Sequence, residues 1–278
     1  MASTRKALCV GINKFKNLPA RNYLQGCVND ANDMEALLSK YLGFSPKTDI
    51  VKLTDSQATK AEIMKNLTEM VNGAKAGKYS YLVFSYSSHG TQVPDTNGDE
   101  ADKYDEALCP YDIAAKGINW DPKYIITDDE LNSLFSQLPQ NVLLEAYFDT
   151  CHSGTGLKAI DLLMDRIPRY LPPPSLKALK EMADRTPKGL RSRAYEKDLR
   201  HHILWAACKD SETSSDAQIE GAWHGAFTYY FIKEMNACQN KLSRAEVLNK
   251  VKVDLKKNGF QQNPRVECDA TVRKLPVQ

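Results

Sequence analysis

Tyr147-Phe148-Asp149-Thr150-Cys151-His152-Ser153-Gly154 is the stretch whose reading decides the fold. A largely apolar run, Val142–Phe148, stops at a cysteine and gives way to small and polar residues. Buried parallel strands read this way, and ligands of open α/β folds bind at the carboxyl ends of such strands. A second stretch is built alike: Tyr81-Leu82-Val83-Phe84-Ser85-Tyr86-Ser87-Ser88-His89-Gly90. If the two strands are neighbours, about 4.8 Å apart, the Cys151 thiol and the His89 imidazole meet at one sheet edge.

That pairing suits acyl transfer. Cys151 attacks a carbonyl as thiolate, while His89 keeps it deprotonated or protonates the leaving amine. The backbone N–H groups of Gly90 and Cys151 receive the oxyanion. Gly90 also leaves room for a substrate, having no Cβ. A lone cysteine is more often a small buried hydrophobe; the matched histidine strand reverses that reading. His152 competes with His89, but adjacent strand side chains face opposite ways. His201, His202 and His224 read as surface or structural.

Working outward, strands alternate with helices. Lys6–Ile12 is a short strand. Asn29–Tyr41 carries Ala31, Met34, Leu37, Leu38 and Tyr41 at helical spacing. Asp49–Leu53 is a strand, and Thr59–Asn72 a helix opened by a Thr-x-x-Glu box. A helix from Asp128 to Gln137, a strand at Ile203–Cys208 and helices at Ala226–Met235 and Ser243–Asn258 follow. The pattern defines an α/β fold with a mostly parallel central β-sheet flanked by helices. Between them, Leu171-Pro172-Pro173-Pro174 and Lys188–Arg200 read as a long, exposed, basic insertion.

With 278 residues, 42% hydrophobic and a net charge of +2, composition points to neither a nucleic-acid nor a membrane surface. Charge is unevenly placed. Lys158–Arg200 holds 11 Lys/Arg against 6 Asp/Glu, and Asp95–Asp112 holds seven carboxylates against one lysine. Seven scattered cysteines without a Cys-x-x-Cys pair argue for reduced thiols and a cytoplasmic location. No signal-peptide region and no membrane-length apolar run are evident.

Asp95-Thr96-Asn97-Gly98-Asp99 imitates the start of an EF-hand loop. Glu100 stands where that loop needs glycine, and a strand rather than a helix precedes it, so an EF-hand is rejected.

Six motifs in order give the chain a family resemblance. They are Ala7-Leu8-Cys9-Val10-Gly11-Ile12-Asn13, Leu24-Gln25-Gly26-Cys27-Val28-Asn29-Asp30-Ala31, Ser88-His89-Gly90-Thr91-Gln92-Val93-Pro94, Tyr104-Asp105-Glu106-Ala107-Leu108-Cys109-Pro110-Tyr111-Asp112, Ile126-Thr127-Asp128-Asp129-Glu130-Leu131 and Asp149-Thr150-Cys151-His152-Ser153-Gly154. Gly225-Ala226-Phe227-Thr228-Tyr229 is similar to the family's small-subunit region. The chain resembles a metacaspase, in the short form called orthocaspase in prokaryotes. Two positions depart from the pattern: Ser88 replaces a glycine, and Lys158 stands where relatives carry an acidic metal ligand, for which Asp161 is a substitute.

The resemblance implies a caspase-like fold and a cytoplasmic, monomeric cysteine endopeptidase cutting protein or peptide substrates after Arg or Lys. It implies three regions: residues 1–156, large-subunit-like and catalytic; 157–200, a basic linker with autoprocessing sites; and 201–278, small-subunit-like and completing the same domain. Asp30 and Asp149 would line the primary pocket, with Cys27 and Ser87 beside them. Two carboxylates in one crevice suit a guanidinium and repel an aspartate. Local alternatives are a helix-dipole role for Asp30 and an imidazole-orienting role for Asp149.

Asp105, Asp128 and Asp129 match the family's Ca²⁺ ligands, hard oxygen donors unsuited to zinc; capping is the alternative for Asp128-Asp129. An arginine-cutting enzyme facing this basic linker would cut itself, with Lys188, Arg191, Arg193, Lys197 and Arg200 the expected sites. Competing functions are a catalytically silent caspase-like scaffold and a calcium-sensing interaction module.

Overall fold

The computed structural model describes residues 4–94, 104–151, 166–183, 201–208 and 212–278, the side chains of 181–183 excepted. His152, Lys158, Asp161 and all five expected self-cleavage residues (Lys188, Arg191, Arg193, Lys197 and Arg200) lie outside the described residues, as does the acidic stretch 95–103.

A six-stranded sheet organises the chain. Its strands are β1 (Arg5–Gly11), β2 (Ile50–Thr54), β3 (Tyr81–Ser87), β9 (Leu143–Asp149), β11 (His202–Ala206) and β14 (Arg265–Glu267), in the spatial order β14-β11-β9-β3-β1-β2. All neighbours run parallel except the β11–β14 pair. The histidine and cysteine strands, β3 and β9, are adjacent, and their last residues, Ser87 and Asp149, pair in register.

Alternation along each strand splits the core in two. Leu8 and Val10 of β1, Leu82, Phe84 and Tyr86 of β3, and Leu144, Ala146 and Phe148 of β9 face one side. There they pack on α2 (Lys60–Lys75) and α3 (Asp128–Phe135). Ala7, Cys9, Tyr81, Val83 and Tyr147 face the other side. They meet α1 (Cys27–Tyr41), α5 (Ala226–Cys238) and α6 (Arg244–Lys257). This two-per-period pattern is what a sheet covered by helices on both faces requires.

Glu145 interrupts the apolar run of β9 and is fully buried. Its carboxylate accepts from Arg244 Nε and Nη2, both at 2.9 Å, from Trp205 Nε1 at 2.9 Å and from the Tyr81 hydroxyl at 3.1 Å. Those four donors offset its desolvation and tie α6 to the sheet.

Shorter strands frame the open edge. β4 (Gly90–Pro94), β5 (Tyr104–Leu108) and β8 (Ile126–Thr127) form one small antiparallel sheet; β6 (Ala115–Lys116) and β7 (Asn119–Trp120) form a ribbon. β10 (Ile167–Pro168), β12 (Ser215–Ile219) and β13 (Ala222–Gly225) form another antiparallel sheet, and α4 (Leu176–Ala183) lies between β10 and β11.

Here the structure corrects the sequence reading. Part of the insertion expected to be exposed is buried: Arg166 is 7% exposed, Arg169 0%, Tyr170 7% and Leu171 2%. Prolines keep it extended, as expected, but hydrogen bonding and ion pairing press it onto the sheet edge.

Candidate active site

Both strands end two residues before the reactive groups, so His89 and Cys151 leave the sheet edge on short loops. Ser88, in place of the family's glycine, is buried and donates its hydroxyl to the Cys109 carbonyl at 3.2 Å. The His89 ring stacks on Phe15, with centroids 5.4 Å apart, and its Nε2 lies 2.8 Å from the Asn22 carbonyl oxygen. A carbonyl accepts only, so Nε2 carries the proton and Nδ1 is left as the base. Among the described residues, Nδ1 is buried without a hydrogen bond of its own. The pKa of His89 is pushed down to about 4, chiefly by burial. The Asn22 carbonyl opposes that fall, while the Arg169 guanidinium reinforces it.

The Cys151 thiol is buried under Tyr170 and beside Cys208, and donates to the Glu212 carbonyl at 2.6 Å. The two amides expected to serve an oxyanion converge on one atom. Gly90 N–H donates to the Arg169 carbonyl oxygen at 3.0 Å, and Cys151 N–H to the same oxygen at 3.2 Å. A Cβ on Gly90 would sit 2.3 Å from the Cys151 carbonyl oxygen. The loops' mutual approach, rather than a substrate's, is what this glycine permits.

The acidic pocket is built at the same strand ends, which close on Ser87 and Asp149. Asp30, in the first turn of α1, and Asp149, at the end of β9, are each 1% exposed. Asp216 of β12, fully buried, completes the set, and sequence reasoning missed it. The guanidinium of Arg169 fills the space among them. Its Nη2 lies 2.7 Å from Asp30 Oδ2 and 2.8 Å from Asp216 Oδ1, and its Nη1 3.3 Å from Asp149 Oδ1. Ser87 Oγ accepts from Nη1 at 3.3 Å and donates to Asp30 Oδ2 at 3.0 Å. Cys27 is buried at the helix start, with Arg169 close enough to bear on its thiol. A Cβ on Gly225 would fall 2.3 Å from Asp149 Oδ2 and 2.4 Å from Arg169 Nη1, so glycine keeps this pocket open.

Burial and charge set the protonation here. Burial pushes Asp30 up, but Arg169, the neighbouring His224 imidazole and hydrogen bonds from Arg169 and Gly225 hold it below the usual carboxylate range. Asp149 is raised, burial outweighing the pull of Arg169. His224, read from sequence as surface or structural, lies 3.8 Å from Asp30 and 3.3 Å from Asp33. The nearby carboxylates, Asp30 first, raise it to about 9 against the opposing effect of burial, so it is charged at neutral pH.

The remaining residues around Arg169 run as an extended peptide would. Ile167 and Pro168 pair antiparallel with Asp216 and Ser215. Arg169 N–H donates to the Ser214 carbonyl at 2.9 Å, and Leu171 N–H to the Gly90 carbonyl at 2.9 Å. Main-chain pairing of this kind is how a sheet edge takes a strand-like peptide.

The acidic metal candidates gather elsewhere. Thr127 pairs with Ala107, which sets Asp105 and the Asp128-Asp129 turn at the same end of the small β4–β5–β8 sheet. Carboxylates suit Ca²⁺ in kind. Among the described residues, however, no three His, Cys, Asp or Glu side chains are grouped to hold a metal ion.

A thiol and an imidazole raised from neighbouring parallel strands, with two amides aimed at one carbonyl, are the equipment of caspase-like cysteine peptidases. Fold comparison agrees: a crystal structure of a Geobacter sulfurreducens protein aligns with a TM-score of 0.66 and 22% identity, over 98% of this chain and 97% of that one. Caspase-1 from Spodoptera frugiperda aligns with a TM-score of 0.56 and 12% identity, over 95% and 86% of the two chains. The family described as metacaspase, peptidase C14 domain, matches residues 5–160. Metacaspase-1A of Aspergillus oryzae is 32% identical over 297 residues, 95% of this chain and 68% of the relative. Metacaspase-1 of Cryptococcus neoformans is 31% identical over 300 residues, 95% and 62% of the respective chains. The chain belongs to the metacaspase family of cysteine peptidases.

Proposed function

We propose that this metacaspase cleaves peptide bonds after Arg or Lys, and that the bond between Arg169 and Tyr170 is the first it cuts, in its own chain. One observation carries the reading: Arg169 is seated with its guanidinium among Asp30, Asp149 and Asp216 and its carbonyl on the amides of Gly90 and Cys151. In this reading Cys151 Sγ attacks the carbonyl carbon after leaving the Glu212 carbonyl, and its proton passes to His89 Nδ1. The amides of Gly90 and Cys151 hold the oxyanion. His89 then protonates the leaving nitrogen of Tyr170 as the C–N bond breaks, and water hydrolyses the thioester. Until it is cut and released, the segment shields the thiol, and the chain is a zymogen. Three carboxylates around one cation disfavour an acidic side chain in the pocket, which argues against caspase-like aspartate specificity.

Ca²⁺ stimulation through Asp105, Asp128 and Asp129 is part of the proposal. No chemical step runs through the ion. A monomeric, cytoplasmic enzyme is proposed on the same terms. The free cysteines fit a reducing compartment, and no described helix is long and apolar enough to cross a membrane. Fluorogenic tetrapeptides ending in Arg, Lys or Asp, tested on wild type, Cys151→Ala and His89→Ala, check the reading. Turnover after Arg and Lys by the wild type alone supports it; equal turnover after Asp contradicts it.

A further inference from the structure

Arg166 stands three residues before Arg169, and its side chain is anchored as firmly. Nη1 donates to the Gly259 carbonyl at 2.8 Å and Nη2 to the Asn258 carbonyl at 3.0 Å. The guanidinium carbon lies 3.8 Å from the centroid of the Phe260 ring, which Tyr230 packs edge-on at 5.9 Å. Asn258 caps α6, so its carbonyl carries the partial negative charge of a helix C-terminus, and the Gly259 carbonyl follows directly after it. Gly259, at φ +74°, turns the chain there as glycine does best. A cleft of about 440 Å³ opens beside Arg166, with Ile219, Trp223, Tyr229, Tyr230 and Phe260 in its walls. None of these groups takes part in the chemistry at Cys151, and the extended span between the two arginines, roughly 10 Å, makes them separate sites.

We infer that Asn258, Gly259 and Phe260 form a subsite for a guanidinium on the fourth residue before the scissile bond, so that preferred substrates carry Arg at both the fourth and the first position. The inference rests on the reading of residues 166–171 as a bound substrate. Two carbonyls matching the planar fork and a ring face for stacking favour Arg over Lys. Neither the two carbonyls nor the ring face offers an acidic side chain a donor. Neither part depends on the three aspartates.

The test uses the full chain with Arg166→Ala and Arg169→Ala, which strips the segment of both anchors. The probes are Ac-Xaa-Ile-Pro-Arg peptides with Arg, Lys, Ala or Glu as Xaa. The Arg peptide is expected to exceed the Ala peptide about tenfold in kcat/KM, with Lys between them and Glu lowest. Phe260→Leu should cut the Arg/Ala ratio to about twofold. Titration of the same amide peptides into the chain that also carries Cys151→Ala measures binding without turnover. Equal binding of the Arg and Ala peptides would overturn the subsite and show Arg166 to be a structural tether only. A tenfold binding ratio with no turnover after Arg would leave the subsite standing and reject the peptidase specificity proposed above.

Discussion

Removing the guanidinium from Arg169 should destabilise the fold by an amount the pocket itself sets. Arg169→Ala leaves Asp30, Asp149 and Asp216 buried without their cation. Breaking a buried pair by deleting one partner costs about 3–5 kcal/mol. Each carboxylate keeps protein donors, which favours the low end. Gly225 N–H and Ser87 Oγ serve Asp30; Ser214 Oγ and Thr228 serve Asp149; the amides of Gln25 and Gly26 serve Asp216. With an unfolding entropy of about 2.1 cal/mol/K per residue, a loss of about 3 kcal/mol lowers Tm by roughly 5 °C for a chain of this size. Without the cation, Asp30 loses the charge that holds its pKa down, and Asp149, already raised by burial, rises further above its unfolded value near 4. Stability from such groups is present at low pH and lost as pH rises through the folded pKa. The deficit is therefore larger at pH 8 than at pH 5. Calorimetry of Cys151→Ala with and without Arg169→Ala measures this free of self-cleavage, and added N-acetylarginine amide should recover part of the loss. A Tm unchanged at pH 8, or a deficit independent of pH, would refute the reasoning.

Asp216→Asn preserves shape but removes a charge facing the guanidinium, so kcat/KM on Arg-ended peptides should fall by about 2–4 kcal/mol, roughly 30- to 1000-fold; less than threefold would place Asp216 outside the pocket. His89, at about 4 in this arrangement, lies below its unfolded value near 6.5, so its burial costs stability as pH falls from 6.5 toward 4. Arg169→Ala in the Cys151→Ala background should raise the His89 pKa, and an NMR titration unchanged by that substitution would contradict the arrangement. Asp128→Ala with Asp129→Ala should abolish the rise in Tm on adding Ca²⁺ and the stimulation of peptide cleavage, while Cys151 alkylation persists; an identical calcium response in wild type and variant would exclude these ligands.

The sheet was legible because its signals are local. Apolar runs ending in Ser88-His89-Gly90 and in Thr150-Cys151 mark adjacent strands, and the in-register Ser87–Asp149 pair follows from equal strand lengths. Asp30 was readable only through the family resemblance; its local pattern alone suits a helix-dipole role equally well. Arg169, Asp216 and His224 were not. Arg169 lies 139 residues from Asp30 and 47 from Asp216, and no periodicity links them. Proline and charge made residues 166–171 look solvated, whereas three buried carboxylates and main-chain pairing decide where they go. One signal was available: Arg166-Ile167-Pro168-Arg169-Tyr170-Leu171 sets two arginines among residues that favour burial, unlike the mostly polar Lys188–Arg200.

Intact-mass and N-terminal analysis of the purified chain, incubated with and without Ca²⁺, bears most directly on Arg169 as a bound self-substrate. Wild type should yield a fragment beginning at Tyr170; Cys151→Ala should stay whole, and Arg169→Ala should lose that cut. Cleavage of the wild type confined to Lys188–Arg200, and unaffected by Arg169→Ala, would contradict it.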